Sequence, residues 1–129
     1  MRVARPRRPR LRGAALAALV FCACRAAPTS PYQAEFMQPH EPAAGKPSAL
    51  VVKVTEKGVP VAGAATNFLI DMAHPGMVPL GSAGAETASG RYEGTVTWNM
   101  AGDWSVLFEA RWPDGRRFER RFPVRVAAR

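Results

Sequence analysis

The sequence predicts an all-β fold, an antiparallel β-sandwich of about seven strands. Apolar and polar residues alternate with a period of two, turn residues such as glycine and proline separate the alternating segments, and no segment carries a helical pattern. This pattern extends from residue 49 to residue 129, which we assign to the sandwich domain. Roughly eighty residues is about the size at which one hydrophobic core is just sufficient.

An amino-terminal segment, residues 1–24, resembles an export signal. Its first twelve residues contain six arginines and no acidic residue, and an apolar run of twelve residues, GAALAALVFCAC, follows. The run is shorter than the roughly 20 residues that a membrane-spanning helix needs, and small residues follow it, as at a signal-peptide cleavage site. We therefore expect an exported protein of the periplasm or cell envelope, with a retained, uncleaved anchor as the alternative.

The two cysteines, Cys22 and Cys24, close this apolar run, so the predicted sandwich contains none. It can therefore hold neither a disulfide nor a thiolate metal site. Cys24 after Ala23 resembles the cleavage box of bacterial lipoproteins, in which the cysteine becomes the lipidated first residue, although Phe21 replaces the usual leucine. Lipidation of Cys24 would anchor the protein in a membrane. Ordinary signal-peptidase cleavage after Ala26 is the competing interpretation.

Residues 25–48 predict a semi-extended tether between the export signal and the sandwich. They contain five prolines, show little apolar periodicity and carry no helix signature. Proline fixes the backbone dihedral φ and removes a hydrogen-bond donor, which favours an extended spacer over packed structure. Such a tether would hold the domain away from a membrane surface.

The basic charge of the chain belongs to its amino terminus and not to the sandwich. The formal net charge is +8, but without the six arginines of the first twelve residues the chain has 12 basic against 10 acidic residues. A domain so close to neutrality has little electrostatic attraction for phosphates, which supply most non-specific affinity for nucleic acids. We therefore expect no nucleic-acid partner.

The first two predicted strands flank a turn-rich connection, EKGVPVAGA. They are ALVVKVTE at residues 49–56 and AATNFLIDM at residues 64–72. In both, every second side chain is apolar, which is typical of a strand with one buried face. The side chains predicted to face inward are Leu50, Val52, Val54, Phe68 and Ile70.

Three further strands follow, at residues 91–98, 104–112 and 116–126. A polar stretch, SAGAETAS at residues 82–89, leads into the first of them. The turn NMAGD and the hairpin turn PDG separate the three, and Pro123 marks the last as an edge or kinked strand. The side chains predicted to face inward include Tyr92, Val96, Trp98, Trp104, Val106, Phe108, Phe118, Phe122, Val124 and Val126.

The residues offer little for catalysis. The chain has two histidines, His40 and His74, and the first lies in the predicted tether. Ser82, His74 and Asp71 could be assembled into a nucleophile–base–acid trio, but nothing in the sequence positions the serine at a strained turn with an oxyanion hole. No glycine-rich phosphate loop precedes a helix. We expect that the protein is not an enzyme.

One loop, DMAHPGMVPLG at residues 71–81, concentrates soft metal donors. Met72, His74 and Met77 have the spacing Met-x-His-x-x-Met, in which a Pro-Gly pair can fold the loop back on itself. Thioether sulfur is a soft, uncharged ligand that suits Cu(I) and not Mg²⁺ or Ca²⁺, and imidazole suits the same ion. The loop therefore predicts a Cu(I) site, with Met100 of the NMAGD turn as a candidate fourth ligand.

A second pair of soft donors, Met37 and His40, lies in the predicted tether and could contribute to the same site. Packing is the alternative interpretation for the methionines, because Met72 continues the inward face of its strand and Met77 could cover a tryptophan. The residues alone leave metal binding and packing open.

Several motifs, in this order, resemble the YtkA-like domain, a family of small exported bacterial proteins related to the FixH type. They are the Gly-x-Pro-Val turn at 58–61, the methionine loop at 72–77, the Gly-x-Tyr strand start at 90–92 and Met-x-Gly-x-Trp at 100–104. Ala101 stands where proline is frequent. The resemblance covers about residues 49–126 and implies an immunoglobulin-like sandwich akin to copper-binding CopC-type domains, exported and without catalytic activity.

These observations favour an exported, membrane-tethered sandwich that binds Cu(I) and sequesters it or delivers it to an acceptor protein of the envelope or membrane. The alternative is an interaction module of the cell envelope, or an assembly factor for a membrane complex, that binds another protein and no metal.

Overall fold

The computed structural model describes residues 29–128, which form β-strands joined by turns. The all-β prediction and the immunoglobulin-like antiparallel sandwich are confirmed. Within these residues there is no helix of the length and hydropathy needed to cross a membrane. The strands are β1 (Tyr32–Met37), β2 (Pro47–Glu56), β3 (Val59–Pro60), β4 (Ala65–Asp71), β5 (Leu80–Ala88), β6 (Arg91–Thr97), β7 (Gly102–Arg111) and β8 (Arg117–Val126).

The strands are hydrogen-bonded in the order β1-β2-β6-β5-β4-β7-β8, with the short β3 paired to β2. All pairs between these strands are antiparallel. β5 joins the two layers, because its first half pairs with β4 and its second half pairs with β6. The outermost strands, β1 and β8, approach through stacked Phe36 and Phe122 rings, whose centroids are 5.1 Å apart. The sandwich is therefore nearly closed, and Pro123 lies on an edge strand, as predicted.

The core lies between the layers and follows the predicted alternation. The side chains of Leu50, Val52 and Val54 in β2 are fully buried, and so are those of Phe68 and Ile70 in β4. Offset and edge-to-face aromatic pairs contribute about 0.5–1.5 kcal/mol each beyond the area that they bury. Trp98 and Trp104 form such an edge-to-face pair, with centroids 5.4 Å apart, so the inward placement of both tryptophans is confirmed.

One strand lies inside the segment predicted as a tether. The prediction was wrong between Tyr32 and Met37, where β1 pairs with β2 over its whole length. Tyr32 is buried, and Ala34 and Phe36 pack against the core. The inward alternation is only three residues long and has prolines on both sides, which hid it in the sequence.

A second correction concerns the polar stretch at residues 82–89, which was predicted as a connection. It belongs to β5, yet its inward positions carry Ser82 and Gly84 instead of large apolar side chains. Glycine is required at position 84, because a Cβ there would collide with the Thr66 side chain. The neighbouring strand fills the space, so the period-two signal is absent from β5 itself.

Antiparallel pairing gathers the connections at two opposite ends of the sandwich. At one end lie the connections 38–46, 72–79 and 98–101 and the residues after β8. We call this the methionine end, because it contains the predicted ligands. At the other end lie the chain entry before Tyr32, the turns around 57–64 and 89–90 and the hairpin turn 112–116. We call this the tether end.

Candidate metal site at the methionine end

The methionine end brings the candidate loops to one side of the molecule. The strand order places the 72–79 loop and the 98–101 turn at the same end, which the sequence alone left open. They are also adjacent: the terminal methyl group of Met72 would lie 3.1 Å from a Cβ added to Gly102. Met72 is therefore beside the backbone two residues beyond Met100.

The 72–79 loop is folded back by short-range backbone bonds. The Asp71 carboxylate accepts a hydrogen bond from the Met72 N–H at 2.8 Å. The Met72 carbonyl accepts one from His74 at 2.7 Å, and the His74 carbonyl accepts one from Met77 at 3.3 Å. Gly76, with a φ of +83°, supplies the left-handed conformation that this turn needs. The loop therefore folds back at its Pro-Gly pair, as the sequence predicted.

The two thioethers of this loop are partly engaged in packing. Met72 and Met77 are half-buried, and both pack against the hydrophobic core. Met72 continues the inward face of β4, as the packing interpretation expects. Because methionine has three rotatable side-chain bonds, a thioether in such a position can turn towards a ligand at modest cost.

The imidazole of His74 is exposed and has a defined orientation. Its Nδ1 lies 3.0 Å from the carbonyl oxygen of Pro75. A carbonyl oxygen can only accept, so this contact favours the neutral tautomer that carries its proton on Nδ1. Nε2 then keeps its lone pair and faces no hydrogen-bond donor among the described residues. This is the nitrogen that could bind a metal.

Met100 is more exposed than the two methionines of the loop, Met72 and Met77. Its side chain is 38% exposed, while its carbonyl oxygen accepts a hydrogen bond of 3.1 Å from the Trp104 indole. The backbone of the turn is therefore fixed on a buried tryptophan, and the thioether remains accessible to solvent.

The pair Met37 and His40 lies at the same end but on different surfaces. Met37 ends β1 opposite Val51, and alternation with the core residue Phe36 places its side chain on the outer face of the sheet. His40 is exposed and lines a separate cavity of about 300 Å³ with Glu41 and Lys46. The structure does not join this pair to the 72–79 loop.

Harder metal ligands do not cluster in the part of the chain that the structure describes. Between residues 29 and 128 there is no group of three or more His, Cys, Asp or Glu side chains that could hold a metal ion. A site built from these residues at the methionine end would therefore depend on thioether sulfur. Cys24 and the predicted export signal lie outside the described residues.

Sequence reasoning missed the part that Gly102 plays at this end. It has a φ of +131° and makes room for the Met72 methyl group, so a side chain at position 102 would be strained and would press on Met72. The available signal was a glycine between two residues already singled out, Met100 and Trp104.

Comparison with known proteins gives one family. The profile of the YtkA-like family matches residues 26–108, from before β1 into β7. The match includes the β1 segment that had been assigned to a tether. Comparison with curated protein sequences gives no match.

Several solved structures share the general β architecture at low identity. A superoxide reductase (neelaredoxin) from Ignicoccus hospitalis is 14% identical, with a TM-score of 0.49 over 73% of this chain and 80% of that chain. Domains 4 and 5 of the S-layer protein SbsC are 17% identical, with a TM-score of 0.44 over 75% and 54%. A cohesin module from a Clostridium perfringens family 33 glycoside hydrolase is 10% identical, with a TM-score of 0.44 over 78% and 100%. With TM-scores below 0.5, these similarities do not bear on what this chain binds or does.

Proposed function

The chain belongs to the YtkA-like family, and we propose that it is an exported protein that binds Cu(I) at its methionine end. Met72, His74 and Met77 would be the ligands, with Met100 as the fourth. The protein would sequester the ion or deliver it to an acceptor protein of the membrane or envelope. The observation that carries the proposal is the proximity of the Met72 methyl group to Gly102, two residues beyond Met100.

The chemistry of the donors selects the ion. Thioether sulfur is neutral and polarizable, so it binds Cu(I) readily and gives little to Mg²⁺ or Zn²⁺. The unprotonated Nε2 of His74 would add one stronger donor. A zinc site would ordinarily need thiolates or several histidines, and the described residues offer neither at this end.

The packing of Met72 and Met77 indicates that binding would be weak or transient. Both thioethers contact the core, so a metal would have to draw them partly away from those contacts. The lost apolar contacts would offset part of the binding free energy. A carrier that has to release its ion benefits from such a cost, and the proposal includes no catalytic step.

The membrane attachment in this proposal rests on the sequence. Lipidation of Cys24, or retention of residues 1–24 as an anchor, would keep the protein at a membrane. We expect Cys24→Ala to release the protein from the membrane fraction or to block its processing. A wild-type protein that is wholly soluble and begins at Ala27 would contradict lipidation and leave export intact.

The copper proposal is tested by titrating the purified protein, from residue 25 onward so that neither cysteine is present, with Cu(I) against a competing chelator. We expect Met72→Leu with Met77→Leu nearly to abolish binding, because leucine keeps the volume and removes the sulfur. Met37→Leu is the matched control, since it removes a thioether from the same end but from the outer face of β1. Unchanged Cu(I) affinity in the double variant would overturn the proposal.

The competing function is an envelope interaction module, or an assembly factor, that binds protein and no metal. It is favoured by apolar side chains exposed beside the methionine end, above all Val78, which is 76% exposed. Leu69, Pro79 and Leu107 line a shallow cavity of about 360 Å³ next to it. If the leucine variant retains Cu(I) fully, this second function takes precedence.

A further inference from the structure

We propose that the tether end of the domain rests on an anionic membrane surface, with a lipid phosphate group in the groove between Lys53 and Arg91. The methionine end would then point away from the membrane. This inference rests on the export of the protein, which is part of the proposed function, and it does not depend on copper binding.

The entry point of the chain is the first observation. The chain enters the domain at Tyr32, and β1 runs from the tether end towards the methionine end. Tyr32 is fixed there by its ring, stacked on Trp112 with centroids 4.7 Å apart, and by its hydroxyl, which accepts a 2.8 Å hydrogen bond from Arg116. Any anchor before β1 therefore pulls on the tether end.

The distance to an amino-terminal anchor is short. Only seven residues separate Cys24 from Tyr32, in place of the long tether that the sequence suggested. Fully extended, they reach about 25 Å, because a residue spans at most about 3.3–3.6 Å. A ten-residue strand such as β2 is itself about 33 Å long. The methionine end thus lies farther from the chain entry at Tyr32 than the whole reach of these residues.

A groove with anion-binding chemistry opens at this end. Lys53 of β2 and Arg91 of β6 are register partners, so their side chains leave the same face of the sheet. With Thr55 and Ser89 they line a cavity of about 360 Å³. Two cations and two hydroxyl groups are suited to the oxygens of a phosphate monoester or diester.

Of these two cations, only Arg91 has an ion-pair partner among the described residues. The Arg91 guanidinium is held by Glu93 at 2.9 Å, which orients it along the sheet. Lys53 is exposed and forms no ion pair within residues 29–128, although Glu35 of β1 is its register partner on the side away from Arg91. Like charges directly opposite each other on a sheet repel, so an anion between them would be stabilising.

The tether end also carries more positive formal charge than the methionine end. With the adjoining strand residues included, the connections of the tether end (56–64, 86–91 and 111–117) carry five cations and three anions, a net of +2. The connections 38–46, 71–79, 98–103 and 125–128 of the methionine end carry two cations and three anions, a net of −1. Val59, 64% exposed, adds an apolar side chain to the tether end that could enter the headgroup layer. Anionic lipid would therefore attract the tether end and leave the methionine end outward.

This orientation restricts the acceptor for the proposed ion. A methionine end held about a strand length from the lipid would meet soluble partners, or domains that project from a membrane protein, before it met the lipid-embedded part of such a protein. The ion would thus be exchanged at the methionine end, away from the lipid.

The test uses the chain from residue 25 onward, so that neither an acyl chain nor the six arginines of the export signal contribute, and vesicles of phosphatidylglycerol with phosphatidylcholine against pure phosphatidylcholine. We expect salt-sensitive binding that depends on the anionic lipid. Each basic residue near a membrane surface changes binding about fivefold, so Lys53→Gln with Arg91→Gln should weaken it about twenty-five-fold. The control, Lys46→Gln with Arg125→Gln, removes the same charge from the methionine end and should change binding less than about twofold.

Orientation is measured separately. A fluorophore on Thr87→Cys, near the tether end, should be quenched by a quencher in the lipid headgroups, and one on Asn99→Cys, at the methionine end, should not. These chains contain no other cysteine, and thermal unfolding would show that each variant is folded.

Four results would overturn the inference: equal weakening in both double variants, equal binding to neutral vesicles, equal quenching of both labels, or binding of inorganic phosphate without binding of vesicles. The last would indicate a site for a free anion. None of these results bears on the Cu(I) titration, so a failure here and a failure of the copper proposal are distinguishable.

Discussion

The tether end and the 72–79 loop of the methionine end are held in place by different kinds of contact. At the tether end, buried side chains bind distant backbone: the Tyr92 hydroxyl donates to the Val61 carbonyl at 2.7 Å, and the Trp112 indole donates to the Ala62 carbonyl at 3.0 Å. At the methionine end, the 72–79 loop bonds mainly to itself, and half-buried thioethers join it to the core.

This difference matters because hydrogen bonds are directional and thioether contacts are not. A loop held by directional bonds to a neighbouring segment keeps one geometry, whereas methionine side chains repack without breaking such bonds. The tether end is thus built to fix the position of the chain entry. The 72–79 loop is built so that its two thioethers can rearrange, as the proposed transient metal site requires. The neighbouring connections at this end are fixed by backbone bonds, such as that from the Gly45 N–H to the Trp98 carbonyl at 2.6 Å.

The largest expected effect is on the tryptophan beneath the methionine end. Trp104→Ala should lower the free energy of unfolding by about 3–5 kcal/mol, because it leaves a large cavity under the 98–101 turn. It also removes the indole that holds the Met100 carbonyl. Chemical denaturation monitored by circular dichroism measures the loss. Trp104→Phe, which keeps most of the apolar volume, is the control and should lose less.

An alanine variant as stable as the parent would mean that Trp104 is not part of the core. A helical far-ultraviolet spectrum of the wild-type protein would be equally inconsistent with the sandwich. Either result would mean that no buried tryptophan supports the methionine end. The comparison of the two ends would then lose its basis.

The next effect tests whether β1 belongs to the domain. Tyr32→Ala removes a buried ring that stacks on Trp112 and meets Phe118 edge to face, and we expect a loss of about 2–4 kcal/mol. Gln33→Ala, at an exposed position of the same strand, should change stability by less than about 0.5 kcal/mol. If both variants unfold like the wild type, β1 contributes nothing and the tether is as long as the sequence suggested.

The strands with strong alternation could be predicted closely, and two others could not. β7 differs from its predicted range by one or two residues at its ends, because every second side chain in it is large and apolar. β1 and β5 lack that signal, since β1 has a short alternation between prolines and β5 presents Ser82 and Gly84 to a neighbour that fills the space.

The candidate ligands could be named from residue chemistry, but their arrangement could not. Only the strand order shows that Met100 lies at the same end as Met72, because that depends on pairing between segments far apart in the chain. The outward direction of Met37 follows from its register opposite Val51, which is likewise a long-range property.

A third, smaller effect would sharpen the description of the tether end as rigid. The pKa of the Tyr92 hydroxyl is raised to about 12, chiefly by burial. The hydrogen bond from Ala64 opposes this shift, and the Glu86 side chain contributes to it. Between pH 10 and 12 the unfolded chain releases a proton that the folded protein keeps. Stability from this group is therefore complete below about pH 10 and is lost as the pH rises through this window, by about 2 kcal/mol.

Denaturation curves at a series of alkaline pH values measure this loss. Tyr92→Phe has no hydroxyl to ionise, so its stability should change less than that of the wild type over the same window. It should also be less stable near neutral pH, since the Val61 carbonyl and the Ala64 N–H lose their partner. Parallel pH profiles for the two proteins would show that the hydroxyl is not buried as described.

The smallest expected effect on stability is at the residue that matters most for the proposed site. His74 is exposed and its ring contacts only the neighbouring Pro75 carbonyl, so His74→Ala should alter the free energy of unfolding by less than about 0.5 kcal/mol. Its Cu(I) affinity should nevertheless fall clearly, because the strongest donor of the loop is gone. His40→Ala removes the other imidazole of the methionine end, from a separate cavity, and should leave the affinity unchanged. A loss of affinity with unchanged stability in His74→Ala, and not in His40→Ala, would show that the loop binds metal and does not merely pack on the core. The packing of Met72 and Met77 cannot make this distinction. Equal affinities in both variants and the wild type would instead assign the loop to packing.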